Sequence, residues 1–161
     1  AINFAATATQ YSNNFETSSN DFVGNIFEIT QPTGFNSKVL KTITRYPNGF
    51  GLDSTSNYIA TLVKPIRIGS ANTLMRFDEA AIVQNQASNI AFGNPGFNDY
   101  VIVEGSKDGG NTWLPFINGY DATAFSNWQS AFTNNGTPSQ SLMRSRLIDL
   151  TGNGNFATND E

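Results

Sequence analysis

Apolar residues along this chain recur with a period of two far more often than with the period of a helix. "NYIATLVKPIRI" sets Ile59, Thr61 and Val63 on one face and Ala60 and Leu62 on the other. "NTLMRFDEAAIV" opposes Leu74, Arg76 and Asp78 to Met75 and Phe77 before running into Ile82 and Val83. "DYVIVEGS" opposes Tyr100, Ile102 and Glu104 to Val101 and Val103, and "GNIFEITQ", "NTWLPFI" and "SLMRSRLIDL" add further short runs. Successive side chains of a strand leave on opposite faces, so such alternation between Gly, Pro and Asn clusters predicts half-buried strands. Helical spacing persists nowhere for three turns, and "DATAFSNWQSAF" (121–132) predicts one short helix at most.

The stretches between these runs are long and turn-rich: "TRYPNGFGLDSTS", "QNQASNIAFGNPGFN" and "QSAFTNNGTPSQ". Their Phe and Tyr residues imply loops folded back on the body. Short strands with long decorated loops predict an all-β fold, an antiparallel β-sandwich of jelly-roll type with at most one short helix. A length of 161 residues suits a single module over 1–161, with a weakly patterned N-terminal segment (1–20) and a tail or incipient strand at 151–161.

Composition narrows the chemistry. Charged residues make up only 14%, against about 25% in an ordinary soluble domain, and 21 Asn residues supply polarity and turn propensity instead. A net charge of −4 disfavours nucleic acid, whose phosphates require a basic face. With no Cys, disulfides, thiol catalysis and Cys-based zinc sites are excluded, and with no His the commonest general base and transition-metal ligand is missing. No apolar run approaches the ~20 residues of a membrane-spanning helix, so membrane insertion is not expected. The chain opens on "AINFAATATQ", without Met or a basic leader, and reads as a processed or excised segment. Low charge, Asn/Ser/Thr richness and absence of Cys together suit a secreted or cell-surface bacterial protein.

"SKDGGNTW" (106–113) is the one sharp motif. Ser106, Asp108, Gly110, Thr112 and Trp113 have the spacing of the Asp box of sialidase-type propellers. A propeller needs blades of about forty residues with the box recurring, and here it occurs once, so the expected role is structural. Asp108 would accept backbone N–H bonds inside a hairpin turn, the Gly residues would permit positive φ, and Trp113 would pack on the hairpin base. No catalytic residue is assigned, because a glycosidase needs two facing carboxylates and nothing in the spacing marks such a pair.

Two further sites are candidates. Asp78, Glu79 and Asp99 lie at strand ends beside carbonyl-rich loops and would be the ligands of a Ca²⁺, which takes six to eight oxygens. The plainer alternative makes them solvated charges or partners of Arg45, Arg67 and Arg76. Among the loop aromatics Tyr46 and Trp128 are candidate glycan contacts, with loop-pinning as their alternative role.

"MRFDEAAIVQNQASNIAFGNPGFNDYVIVEGSKDGGNTWLPFINGYDA" (75–122), into which a strand carrying "LVKPI" leads, resembles the jelly-roll modules of large secreted and cell-surface proteins of Bacteroidetes. Such proteins leave the cell by type IX secretion, and the modules are related to MAM-type and immune-inhibitor-A-type sandwiches. The resemblance spans residues 22–150 and is strongest over 75–122. It departs at Gln84 and Gln86, where compared members often carry Glu, and at "TGNGNFATNDE", where further strands would begin. The resemblance therefore implies a module whose sheet is completed by flanking domains or by another chain. The function expected is a non-catalytic extracellular adhesion or architectural module. The alternatives are a carbohydrate-binding module appended to a secreted hydrolase and, less favoured, a remnant of a glycan-processing enzyme.

Overall fold

A computed structural model describes residues 7–17, 21–43, 57–69, 71–84, 90–97 and 99–151. It is mostly strand with one short helix, as the alternation predicts. Among the described residues every sheet is two-stranded and none closes, and together they make a small mostly-β fold. The chain divides into two compact units, Ala1–Arg67 and Ile68–Glu161. The hydrophobic pattern marks no boundary between them.

In the first unit β1 (Phe22–Gly24) pairs antiparallel with β4 (Ala60–Leu62), and β2 (Phe27–Thr30) with β3 (Val39–Thr42). Asn25 extends the first ribbon with its side chain: Ile59 N donates to Oδ1 at 3.0 Å, and Nδ2 donates to the Asn57 carbonyl at 3.3 Å. Gly24 is required by close approach, because a Cβ there would sit 1.9 Å from the Ile59 carbonyl oxygen. Across β2 and β3, Glu28 lies opposite Lys41 and the two form an ion pair at 2.9 Å. Ala8 adds a single parallel bridge to Ile66, the one pairing by which the described N-terminal segment joins strand-like structure. Tyr11 and Phe15 pack on Phe22, with ring centroids at 6.5 and 5.7 Å.

The second unit holds the longer ribbon. β5 (Leu74–Glu79) and β8 (Arg144–Asp149) run antiparallel over six pairs, from Leu74↔Asp149 to Glu79↔Arg144. β6 (Glu104–Gly105) and β7 (Leu114–Pro115) form a hairpin closed by the 106–113 turn. Farther down this hairpin, Phe116 N bonds to the Val103 carbonyl and Val101 bridges Tyr120. Between those two points one residue, Ile102, faces three, Ile117 to Gly119. This bulge lays the Gly119 backbone beneath Phe92 and Tyr100.

The helix α1 (Ser126–Thr133) starts inside the predicted 121–132 window and ends one residue past it. Asp121 caps the 3-10 turn before it, accepting from Thr123 N at 2.8 Å and Thr123 Oγ1 at 2.6 Å. Asn135, at φ 52°, ends the helix in the left-handed region, and Gly136 N bonds to the Ala131 carbonyl at 2.7 Å. The helix exists to bury Trp128. That indole is fully enclosed with Ala81 and Ala122, flanked by Val101, Tyr120, Phe125, Phe132 and Leu142, and its Nε1 donates to the Leu142 carbonyl at 2.6 Å.

Candidate functional site

The strongest polar constellation grows from the inward face of the β5–β8 ribbon. Alternation along β5 buries Met75, Phe77 and Glu79 in part and exposes Leu74, Arg76 and Asp78. Antiparallel register then places Arg146, opposite Phe77, diagonally beside Glu79 on the same face. Arg146 Nε meets Glu79 Oε1 at 2.5 Å with both side chains largely buried. Tyr120, carried in by the bulged hairpin, donates its hydroxyl to Glu79 Oε2 at 2.5 Å. The Arg146 guanidinium lies over the Tyr120 ring at 3.9 Å and is 5.8 Å from the Phe125 ring. Burial, then the bond to Glu79 and its charge, push the Tyr120 hydroxyl well above the ordinary tyrosine range. A phenol that holds its proton and a carboxylate shared between two donors do not form an acid/base pair. The arrangement locks strand, hairpin and helix together.

This geometry corrects the calcium expectation. Asp78 and Glu79 are neighbours in sequence but leave β5 on opposite faces. Asp78 is taken by the Ser145 hydroxyl and Glu79 by Arg146 and Tyr120. Asp99 does not join them: among the described residues no group of three or more acidic side chains is placed to hold a metal.

The 106–113 turn is built as its spacing suggested. Thr112 N and Thr112 Oγ1 donate to the two carboxylate oxygens of Asp108 at 2.8 and 2.6 Å, and the Ser106 hydroxyl donates to Oδ1 at 2.8 Å. Gly110 N in turn donates to Ser106 Oγ at 2.8 Å. Gly109 and Gly110 sit at φ 73° and 94°, and Trp113 Nε1 closes the loop on the Gly110 carbonyl at 3.0 Å. The Thr112 hydroxyl and amide, with Ser106, hold the Asp108 carboxyl down at about 2. The carboxylate is therefore saturated by its own loop, with Trp113 left half-exposed at the hairpin base.

Of the two candidate glycan contacts, Tyr46 lies outside the described residues. Trp128 has no exposed surface, so its ring offers no face to a sugar, and the expectation is corrected: Trp128 is the centre of the core. Half-exposed rings occur instead at Tyr100 and Trp113. Tyr100 is packed edge-on against Phe92 at 5.1 Å, which fits the loop-pinning role. Sequence reasoning missed Arg146 and Tyr120 as partners of Glu79. The available signal was the shared period-2 face of "RSRL" and "MRFDE", which becomes a contact only once the register is known.

Among the described residues no helix is long and apolar enough to cross a membrane. No protein-family model, curated protein or solved structure matches the chain, so the functional reading rests on the geometry above.

Proposed function

We propose that the chain is a non-catalytic module of a secreted or cell-surface protein, acting in adhesion or as an architectural unit within a larger assembly. The observation that carries this reading is the outward face of its ribbons. Ile59 and Val63, which alternate with the inward Ala60 and Leu62 of β4, are 53% and 49% exposed, and Val23 stands opposite Thr61 on the same ribbon. On the β5–β8 ribbon Leu74 and Leu147 project outward beside each other, Leu147 being 62% exposed. Apolar side chains grouped on a sheet face favour burial against another protein surface. The best-formed acids, Asp108 and Glu79, meanwhile serve the fold rather than a reaction. Low charge and the absence of Cys support the extracellular assignment.

Beads coated with the chain test it. Retention on protein-coated surfaces is expected, with loss on Ile59→Lys or Leu147→Lys at unchanged circular dichroism. Release of peptides or reducing sugars by the chain, abolished by one acid-to-amide change, overturns the reading in favour of an enzyme.

A further inference from the structure

The first unit contains a polar cleft of about 400 Å³ lined by Ser12, Asn13, Asn14, Thr17 and Asp21. Its walls are built by Asx turns: Asn13 Oδ1 accepts from Phe15 N at 2.7 Å, and Asn14 Oδ1 from Glu16 N at 3.1 Å. Behind them the Tyr11 hydroxyl donates to Asp21 Oδ2 and receives Asn13 Nδ2, both at 3.1 Å. Lys64 stands 3.8 Å from the other Asp21 oxygen and 5.4 Å from the Tyr11 ring. The back of the cleft is thus tied by hydrogen bonds, whereas its rim is uncommitted. The hydroxyls of Ser12 and Thr17 and the amide nitrogen of Asn14 carry no hydrogen bond among the described residues.

We propose that this cleft binds a neutral polyhydroxylated ligand, a saccharide. The chemistry of the lining selects the class. A dication would meet one carboxylate already engaged by Tyr11 and faced by an ammonium, far short of the anionic oxygen set Ca²⁺ requires. An anion would meet the Asp21 carboxylate, and an apolar ligand would strand the free hydroxyls and amide without partners. Sugar hydroxyls both donate and accept, which matches two side-chain hydroxyls, a free amide donor and a carboxylate with spare lone pairs. The proposal stands independently of the adhesion reading.

Isothermal titration of the full chain with cellohexaose, xylohexaose, mannohexaose and chitohexaose tests it. At least one should bind saturably with a Kd at or below about 1 mM. Ser12→Ala/Thr17→Ala should weaken that binding about tenfold or more at unchanged thermal midpoint, the effect of losing two ligand hydrogen bonds. Asn14→Ala should act likewise if its turn survives, and the hydroxyl double variant decides if it does not. The proposal is overturned by absence of saturable heat for all four sugars up to about 10 mM. Binding untouched by the Ser12/Thr17 variant, or a response to Ca²⁺ or sulfate instead of sugar, overturns it equally.

Discussion

Replacing Tyr120 by Phe keeps the ring beneath Arg146 and removes only the hydroxyl that Glu79 accepts. A hydrogen bond to a charged group contributes about 1.5–3 kcal/mol, so Tyr120→Phe should destabilise by that amount. Glu79→Gln keeps the shape but leaves Arg146 a largely buried charge without its carboxylate. Breaking a buried pair costs about 3–5 kcal/mol, and the residual exposure of 19% and 13% brings the expectation here to about 2–4 kcal/mol. The two changes should not add. Once residue 79 is an amide, the tyrosine hydroxyl serves a neutral acceptor, a bond worth about 0.5–1.5 kcal/mol, so the double variant should recover about 1 kcal/mol or more of coupling. Urea unfolding followed by tryptophan emission measures this, because Trp128 is enclosed in the same cluster and the second tryptophan, Trp113, is half-exposed. Slopes with urea should stay constant while midpoints fall. Because the raised Tyr120 pKa lies above its unfolded value near 10, its contribution is whole below that pH and is lost only as pH climbs beyond it. A coupling energy below about 0.5 kcal/mol would refute the shared-carboxylate lock.

Two further outcomes follow from the fold. Asp108 has a folded pKa of about 2 against an ordinary 3.8, so its contribution is present above the unfolded value and fades as pH falls from about 4 to about 2; Asp108→Asn should lower the neutral-pH melting temperature and flatten that acid limb, as scanning calorimetry across pH would reveal. Gly24→Ala should disrupt the β1–β4 ribbon, since its methyl would overlap the Ile59 carbonyl, at a cost of about 3 kcal/mol or more; faster amide exchange confined to Phe22–Asn25 and Ile59–Leu62 is the expected signature, and an unchanged exchange pattern would contradict the close approach.

Elements whose signal is local were legible in the sequence. The 106–113 turn follows from side chains that bond within eight residues, and the short helix follows from one amphipathic stretch. Strands β4, β5 and β8 follow from alternation, but alternation defines two faces without naming the covered one. Flanking β4, the β-branched residues Ile59 and Val63 turn outward while the smaller Ala60 within it turns inward, because the packing of the first unit decides the side. β1 and β3 escaped notice: "FVG" is too short to show a period and "VLKT" does not alternate. Trp128 looked like a loop aromatic because its neighbours are Asn, Gln and Ser, whereas its burial depends on Ala81 and Leu142, far off in sequence. The Glu79 lock likewise joins residues 79, 120 and 146, which no local window contains.

The β5–β8 register also orders events in time. The β6–β7 hairpin closes over the eight residues 106–113, whereas pairing Glu79 with Arg144 encloses the 64 residues 80–143. Loop-closure entropy grows with the logarithm of loop length, so the long ribbon costs about 2 kcal/mol more to bring together. The hairpin around 106–113 is therefore expected to close before β8 docks onto β5. Arg146 reaches Glu79 only at that step. Weakening the lock should accordingly leave the rate of folding nearly unchanged and speed unfolding, which makes this ion pair a determinant of how long the native state persists rather than of how quickly it forms.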